Sequence, residues 1–135
     1  MEEKSVSLLL SSEEDTFVAQ TSVGSIKVGQ QGYKPMELLL VALAGCSGVD
    51  VSSILRKKRQ KVKSIKIDAV GKRRDEFPRV YENIKLTYTV IGENIDKKAV
   101  ESAVRLSVDK YCSVYAMLSK AVPIQVEIQV WEEKE

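Results

Sequence analysis

Apolar and polar residues alternate in the first part of the chain, a period of two that is typical of β-strands. The alternation runs over residues 6–10 and resumes over 17–21, on either side of the polar segment 12–15. Two such runs around a short polar connection predict a hairpin. A third short strand is expected over 25–28.

The most apolar part of the chain predicts a helix that begins at Pro35 and ends near Arg59. Proline at the first helical position forfeits no hydrogen bond, and Glu37 in the first turn suits the positive end of the helix dipole. The first half of the helix is apolar all round, which indicates burial on every side. The stretch from Met36 to Cys46 is judged too short for the ~20 residues that span a bilayer.

Period-two alternation returns over 65–69 and 84–90, on either side of the charged connection 71–79 that contains Pro78. These two runs predict a long antiparallel hairpin. Ile65, Ile67 and Ala69 are expected to face the core.

A helix is expected to follow, with Asp96 as its N-cap and its end near Tyr111. A short helix over 113–121 is stopped by Pro123, and a last strand covers 124–130. Strands followed by helices in this order predict an α+β fold with a mainly antiparallel sheet.

The composition indicates one globular domain over residues 1–135, since 44% of the residues are apolar and 30% are charged. The net charge is only +2, which provides no broad field for attracting nucleic acid or a membrane surface. The basic run 56–61 falls at the negative end of the predicted helix and is expected to complement the dipole there. No secretory pattern opens the chain, so we expect a cytoplasmic protein.

Cys46 and Cys112 are the candidate reactive groups, and the chain contains no histidine. The absence of histidine excludes a Cys/His nucleophile and any zinc site that uses histidine. In a reducing compartment the two cysteines are free thiols, a transient redox pair or ordinary small core residues. Cys112 is predicted at the amino end of a short helix, where backbone N–H groups and the dipole lower the pKa of a thiol.

The segments around the two cysteines resemble the osmotically inducible protein C and organic hydroperoxide resistance family (OsmC/Ohr). The motifs are residues 35–50 (PMELLLVALAGCSGVD) and 110–114 (KYCSV), and the resemblance covers nearly the whole chain. Within the family the chain is most similar to the YhfA-like branch, judged from the segments 35–38, 45–47, 52–55, 76–79 and 110–113.

The resemblance implies an OsmC-like fold: curved, mainly antiparallel sheets and a long buried central helix in an intertwined homodimer with active sites at the interface. It also implies an antioxidant oxidoreductase of the oxidative stress response, a thiol peroxidase acting on organic hydroperoxides. Cys46 would be the peroxidatic cysteine and Cys112 the resolving one, re-reduced by an external dithiol such as a lipoyl group. No bound cofactor or metal is implied.

The chain departs from the family pattern around the expected glutamate and arginine. The residue after Pro35 is Met36, and Glu37 is displaced by one position, which turns its side chain by about 100° on a helix. Glu37 is kept as a candidate for the charge-holding glutamate, beside its interpretation as a first-turn acid. No arginine precedes Arg56; the candidate cations are Lys27, Lys34, Arg73, Arg74 and Arg79.

A second hypothesis follows from these departures: an OsmC-like dimer without efficient peroxidase activity that binds a small ligand or senses redox state. Asp50, to which no role is assigned, lies four residues after Cys46 on the same helix face. Its negative charge would oppose formation of the Cys46 thiolate unless a cation pairs with it.

Overall fold

The computed structural model describes residues 1–133, which divide into two compact units, Met1–Leu39 and a second one that begins at Leu40. The single domain expected over 1–135 stays a prediction. Both units combine strands with helical segments, and the α+β class predicted from the sequence is confirmed.

The first unit is built on a three-stranded antiparallel sheet, as the alternation predicts. Its strands are β1 (Ser7–Leu10), β2 (Thr16–Thr21) and β3 (Gly24–Gly29), hydrogen-bonded in the order β1-β2-β3. The register pairs Leu10 with Phe17 and Thr21 with Gly24, so both connections are hairpins.

Helix α1 (Pro35–Lys57) ends two residues before the predicted Arg59, whose positive φ of 57° is incompatible with a continuing right-handed helix. Within the second unit its buried residues recur every four positions: Leu43, Ser47, Val51 and Leu55. The expectation that the first half of the helix is buried on every side is wrong for the single chain, because Leu39 and Val41 are 40% and 64% exposed. Only one face of α1 packs on the core, since a single sheet covers a single side of a helix.

By length and composition alone, α1 could cross a membrane: it has 23 residues and a mean hydropathy of 2.0 over its most apolar window. The expectation from the sequence concerned only the stretch from Met36 to Cys46, and the helix continues well beyond Cys46. A core helix meets the same criterion, and α1 contributes three fully buried apolar side chains to the core cluster.

The second unit contains a three-stranded sheet of β4 (Lys61–Arg73), β5 (Tyr81–Glu93) and β6 (Ile124–Glu132), in the order β4-β5-β6. The predicted β4–β5 hairpin is confirmed and is longer than the alternation indicated. Strand β6 runs parallel to β5, a direction that alternation cannot reveal. The central strand supplies the middle of the core with Ile84, Leu86, Tyr88 and Val90, all almost completely buried.

The crossover from β5 to β6 is helical. Helix α2 (Lys97–Leu106) begins after Asp96, whose carboxylate accepts a hydrogen bond from the Lys98 N–H, so the predicted N-cap is confirmed. The helix then widens into a π-helical turn, Ser107–Tyr111, and the chain continues into α3 (Ser113–Leu118). The continuous helix predicted as far as Tyr111 therefore changes type at Ser107.

Candidate functional site

The two cysteines come together in the second unit. Cys46 lies in the middle of α1 and is partly exposed, whereas Cys112 lies between the π-helical turn and α3 and is only 2% exposed. Both are free thiols, and Cys46 lies close enough to Cys112 to be one of the causes that raise the pKa of the Cys112 thiol. The sequence places them 66 residues apart, and the packing of the crossover against α1 makes them neighbours.

Cys112 is the N-cap of α3, and its Sγ accepts a hydrogen bond from the Tyr115 N–H at 3.3 Å. The predicted position at a helix start is therefore confirmed, but the expected fall in its pKa is wrong. Burial is the largest cause that raises the pKa of Cys112 from 9.0 to about 11, and the neighbouring Cys46 thiol and the charge of Asp50 add to the rise. The Tyr115 amide opposes this rise without overcoming it.

A buried chain of hydrogen bonds runs beside the thiols. Ser47 Oγ lies 2.6 Å from the Tyr88 hydroxyl and 2.8 Å from Ser107 Oγ, and Ser107 Oγ donates to Asp50 Oδ2 at 2.9 Å. Ser47, Ser107 and Tyr88 are fully buried. We call these four residues the polar chain; it connects α1, β5 and the π-helical turn.

The donors and acceptors of the polar chain follow from the one proton that each hydroxyl carries. Because Ser107 donates its proton to the Asp50 carboxylate, it must accept from Ser47, and Ser47 must accept from Tyr88. All three protons therefore point towards Asp50, and each buried hydroxyl has a defined role. Burial also raises the pKa of Tyr88, so its phenol keeps its proton at neutral pH.

The structure shows the binding partners of the two amino-terminal lysines that the sequence offered as cations for a thiolate. Lys27 forms a 2.7 Å salt bridge with Glu13, and the Lys34 ammonium donates to the carbonyls of Gly29 and Gln30. Both charges are thus already held by groups of the first unit.

The three arginines of the β4–β5 connection are engaged within that connection. Arg73 Nε donates to the Arg79 carbonyl at 2.7 Å, Arg74 Nε to the Pro78 carbonyl at 2.7 Å, and Arg79 Nε to the Arg74 carbonyl at 3.4 Å. Their guanidinium groups stabilise the loop itself, which has a cis peptide bond before Pro78.

Glu37 lies in the first turn of α1, nine residues before Cys46, and its side chain is exposed. Among residues 1–133 it forms no salt bridge. Its role as a charge-holding glutamate stays a prediction. Within the same range, no group of three or more cysteine or acidic side chains is placed to hold a metal ion.

A groove of about 1170 Å³ lies between α1 and β4, on the side of the helix that the core leaves open. Gly45, the residue before Cys46, lines it together with Gly48 and the exposed Val41 and Val49. Arg56 and Lys63 are the charged residues of its wall.

Sequence reasoning missed the roles of Ser47, Tyr88 and Ser107. A signal was present for Ser47, because it occupies a position in the four-residue repeat of buried residues along α1 where an apolar side chain is expected. A buried serine at such a position requires a hydrogen-bond partner, and the sequence gives no means of finding it 60 residues away.

Comparison with known proteins shows what the chain is similar to. The family profile described as OsmC-like protein matches residues 28–127. Protein YhfA of Escherichia coli (strain K12) is 42% identical over 120 residues, which are 85% of this chain and 90% of that protein.

Two solved structures extend the likeness. A hypothetical protein from Aquifex aeolicus VF5 is 48% identical, with a TM-score of 0.95 over 99% of this chain and 100% of that one. The organic hydroperoxide resistance protein OhrB of Bacillus subtilis has a TM-score of 0.64 over 95% of this chain and 98% of its own, at 14% identity. At that identity the likeness concerns the fold alone.

Proposed function

The chain belongs to the OsmC-like family, and on that premise we propose that it is a thiol peroxidase that reduces organic hydroperoxides through the Cys46 and Cys112 pair. The observation that carries the proposal is the proximity of these two thiols, which come from separate elements: Cys46 helps to raise the pKa of Cys112, and the turn that precedes Cys112 is hydrogen-bonded to α1 next to Cys46. Isolated core cysteines have no need of such a partner. The organic hydroperoxide resistance proteins that share the fold supply the substrate class.

The surroundings of the two thiols support different roles for them. Cys112 is buried, and its pKa of about 11 keeps it a neutral thiol at physiological pH. Cys46 is the more exposed of the two and is flanked by Gly45, which borders the groove. Cys46 is therefore the better candidate for the thiolate that meets the peroxide, and Cys112 for the thiol that resolves the product.

The reaction proceeds in two steps. The Cys46 thiolate attacks the outer oxygen of the hydroperoxide; an S–O bond forms, the O–O bond breaks, and the departing alkoxide takes a proton to leave as an alcohol. The resulting sulfenic acid then reacts with the Cys112 thiol to give a disulfide and one water molecule. The sulfur atoms supply the two electrons, so no bound cofactor takes part.

A dithiol from outside the protein completes the cycle by thiol–disulfide exchange. Each turnover then consumes one hydroperoxide and one dithiol and yields an alcohol, water and the oxidised dithiol. A lipoyl group is the dithiol proposed here, and the cytoplasm is the compartment, because its reducing poise keeps such groups available.

A homodimer is part of the proposal. The groove between α1 and β4 exposes Val41 and Val49 beside Ala44 and Gly45, and a side chain added at Gly45 would meet open space, so another surface can approach the helix closely there. A second copy of the chain is the occupant that explains an apolar helix face directly beside a candidate reactive thiol. The two active sites then lie at the interface between the subunits.

The second candidate function is redox sensing or small-ligand binding without efficient turnover. It is favoured by the negative charge of Asp50 close to the thiols, and by the candidate cations that are bound elsewhere. In that case peroxide would oxidise the pair slowly, and the disulfide would itself be the signal.

The test uses wild type, Cys46→Ser and Cys112→Ser with cumene hydroperoxide and dihydrolipoamide. We expect turnover in wild type only, loss of both free thiols together, and a sulfenic acid that dimedone traps in Cys112→Ser. Cys46→Ser should lose no thiol to peroxide. Unchanged thiol content of the wild type in excess hydroperoxide would contradict both the peroxidase and the redox sensor and would leave small-ligand binding. Oxidation much slower than in an organic hydroperoxide resistance protein assayed in parallel selects the redox sensor.

A further inference from the structure

Ser107 is bonded to both cysteine-bearing segments of the site. Its backbone carbonyl accepts a 2.7 Å hydrogen bond from the Cys112 N–H, the bond that closes the π-helical turn. Its side chain reaches α1, where it contacts Ser47 at 2.8 Å and Asp50 at 2.9 Å. Ser47 in turn directly follows Cys46 in the chain.

We infer that Ser47 and Ser107 are positioning residues, which hold Cys112 against Cys46 in the arrangement that disulfide closure requires. The path between the sulfurs through this link is short: the Cys112 backbone, the Ser107 carbonyl and hydroxyl, the Ser47 hydroxyl and the Cys46 backbone. Asp50 and Tyr88 fix the two ends of the link as final acceptor and first donor.

A hydrogen-bonded link suits this task better than apolar packing. A disulfide forms only within a narrow range of distances and dihedral angles, and hydrogen bonds between buried hydroxyls are directional in a way that methyl contacts are not. Both serines are fully buried, and no side-chain N or O atom buried within residues 1–133 lacks a partner. Any shift of the π-helical turn along α1 would therefore leave a buried hydroxyl unsatisfied, which is costly.

Replacing either serine should weaken the disulfide specifically. The quantity to measure is the equilibrium constant for thiol–disulfide exchange with dithiothreitol. In this reaction the reduced protein and oxidised dithiothreitol give the Cys46–Cys112 disulfide and reduced dithiothreitol. We expect Ser107→Ala and Ser47→Ala each to lower the stability of the disulfide about tenfold, because each removes the Ser47–Ser107 hydrogen bond that links the two segments. The double variant should show nearly the same loss, because both changes break one link.

Val104→Ala is the matched control for a purely structural effect. Val104 is a buried residue of α2 outside the polar chain, so its truncation destabilises the fold while leaving the link intact. Ser119→Ala, which removes an exposed hydroxyl, controls for the serine substitution itself. Both controls should keep the wild-type equilibrium constant, and urea unfolding of every variant establishes that it is folded.

Two results would overturn the inference: an unchanged constant in folded Ser107→Ala, or a loss in Val104→Ala as large as in Ser107→Ala. If each single variant lowers the equilibrium constant tenfold and the double variant lowers it a hundredfold, the two serines act independently, and a shared link is refuted. The positioning role serves the proposed peroxidase cycle, but the dithiothreitol equilibrium contains no peroxide. If hydroperoxide does not oxidise the wild type, the proposed function is refuted. The dithiothreitol equilibrium still tests the positioning role of the two serines.

Discussion

At the scale of single residues, Cys46 and Cys112 carry the same side chain in contrasting surroundings. Cys112 is buried, accepts an amide hydrogen bond and faces the charges of Cys46 and Asp50, while Cys46 remains partly exposed. A helix start lowers the pKa of a thiol, but this effect favours the thiolate only where burial does not raise the pKa by more. The position of a cysteine in the sequence therefore does not determine its reactivity.

The raised pKa of Cys112 predicts how its alkylation depends on pH. The thiolate is the reactive species, so the rate at which iodoacetamide modifies Cys112 should rise about tenfold per pH unit and level off only near pH 11. In Cys46→Ser the plateau should begin at a lower pH, because the charge of Cys46, one of the causes that raise the pKa of Cys112, is gone. It should still begin above pH 9.0, because burial is the largest cause.

Mass spectrometry of the modified peptide separates Cys112 from Cys46 in this experiment. A plateau near pH 9.0 in the wild type would contradict the prediction. The same shift affects stability: the fold favours the neutral thiol, so this contribution to the free energy of unfolding is complete below pH 9 and is lost as the pH rises through about 11.

At the scale of elements, the strands and the start of each long helix could be predicted, because they depend on local patterns. Alternation identified β5, and the side chain of Asp96 identified the start of α2. What the sequence did not reveal depends on partners distant in the chain. The parallel pairing of β6 with β5 and the π-helical turn at Ser107 follow from tertiary packing.

In the candidate site too, features that depend on local sequence could be predicted, and features that depend on distant partners could not. The two cysteines were found from their motifs, since a reactive residue type can be recognised alone. The polar chain was missed because Ser47 and Ser107 become informative only when they are 2.8 Å apart. The expected fall in the pKa of Cys112 failed for the same reason: burial is a property of the folded chain.

Two glycines at the ends of β3 allow a matched test of this element. Gly24 and Gly29 both have positive φ, 144° and 129°, so alanine is strained at either position. At Gly29 an added Cβ would also collide with the Asp15 carbonyl oxygen, whereas at Gly24 it would meet open space. We expect Gly29→Ala to lower the free energy of unfolding by about 3 kcal/mol and Gly24→Ala by about 1 kcal/mol.

Urea unfolding followed by circular dichroism measures both variants of this pair. Equal losses would mean that backbone strain alone sets the cost and that the β2–β3 hairpin can move away from the added methyl group. A larger loss for Gly24→Ala would contradict the packing seen at the start of β2.

At the scale of the whole molecule, helix α1 has two apolar faces in different surroundings. One face of α1 packs on the core through Leu43, Val51 and Leu55, while the other exposes Val41 and Val49 along the groove. Cys46 lies between these faces, next to Gly45. The chain itself covers only one of the two apolar faces of α1. The proposed dimer would cover the other face with the surface of a second subunit.

Val49→Lys tests that dimer directly. Covering a lysine ammonium with a second subunit, without a partner for its charge, costs several kcal/mol, so we expect the dimer dissociation constant to rise at least ~100-fold. Light scattering at micromolar concentration should give a dimer mass for the wild type and a monomer mass for the variant. Met117→Lys is the control, because Met117 is 74% exposed on α3 and does not line the groove.

Peroxide turnover measured on the same samples connects assembly to chemistry. If the active sites lie at the interface, turnover by Val49→Lys should fall with dilution in parallel with the dimer mass, whereas Met117→Lys should follow the wild type. A wild type that is monomeric would refute the dimer. A monomeric Val49→Lys with full turnover would keep the dimer but show that each subunit forms a complete site, with Cys46 and Cys112 sufficient by themselves.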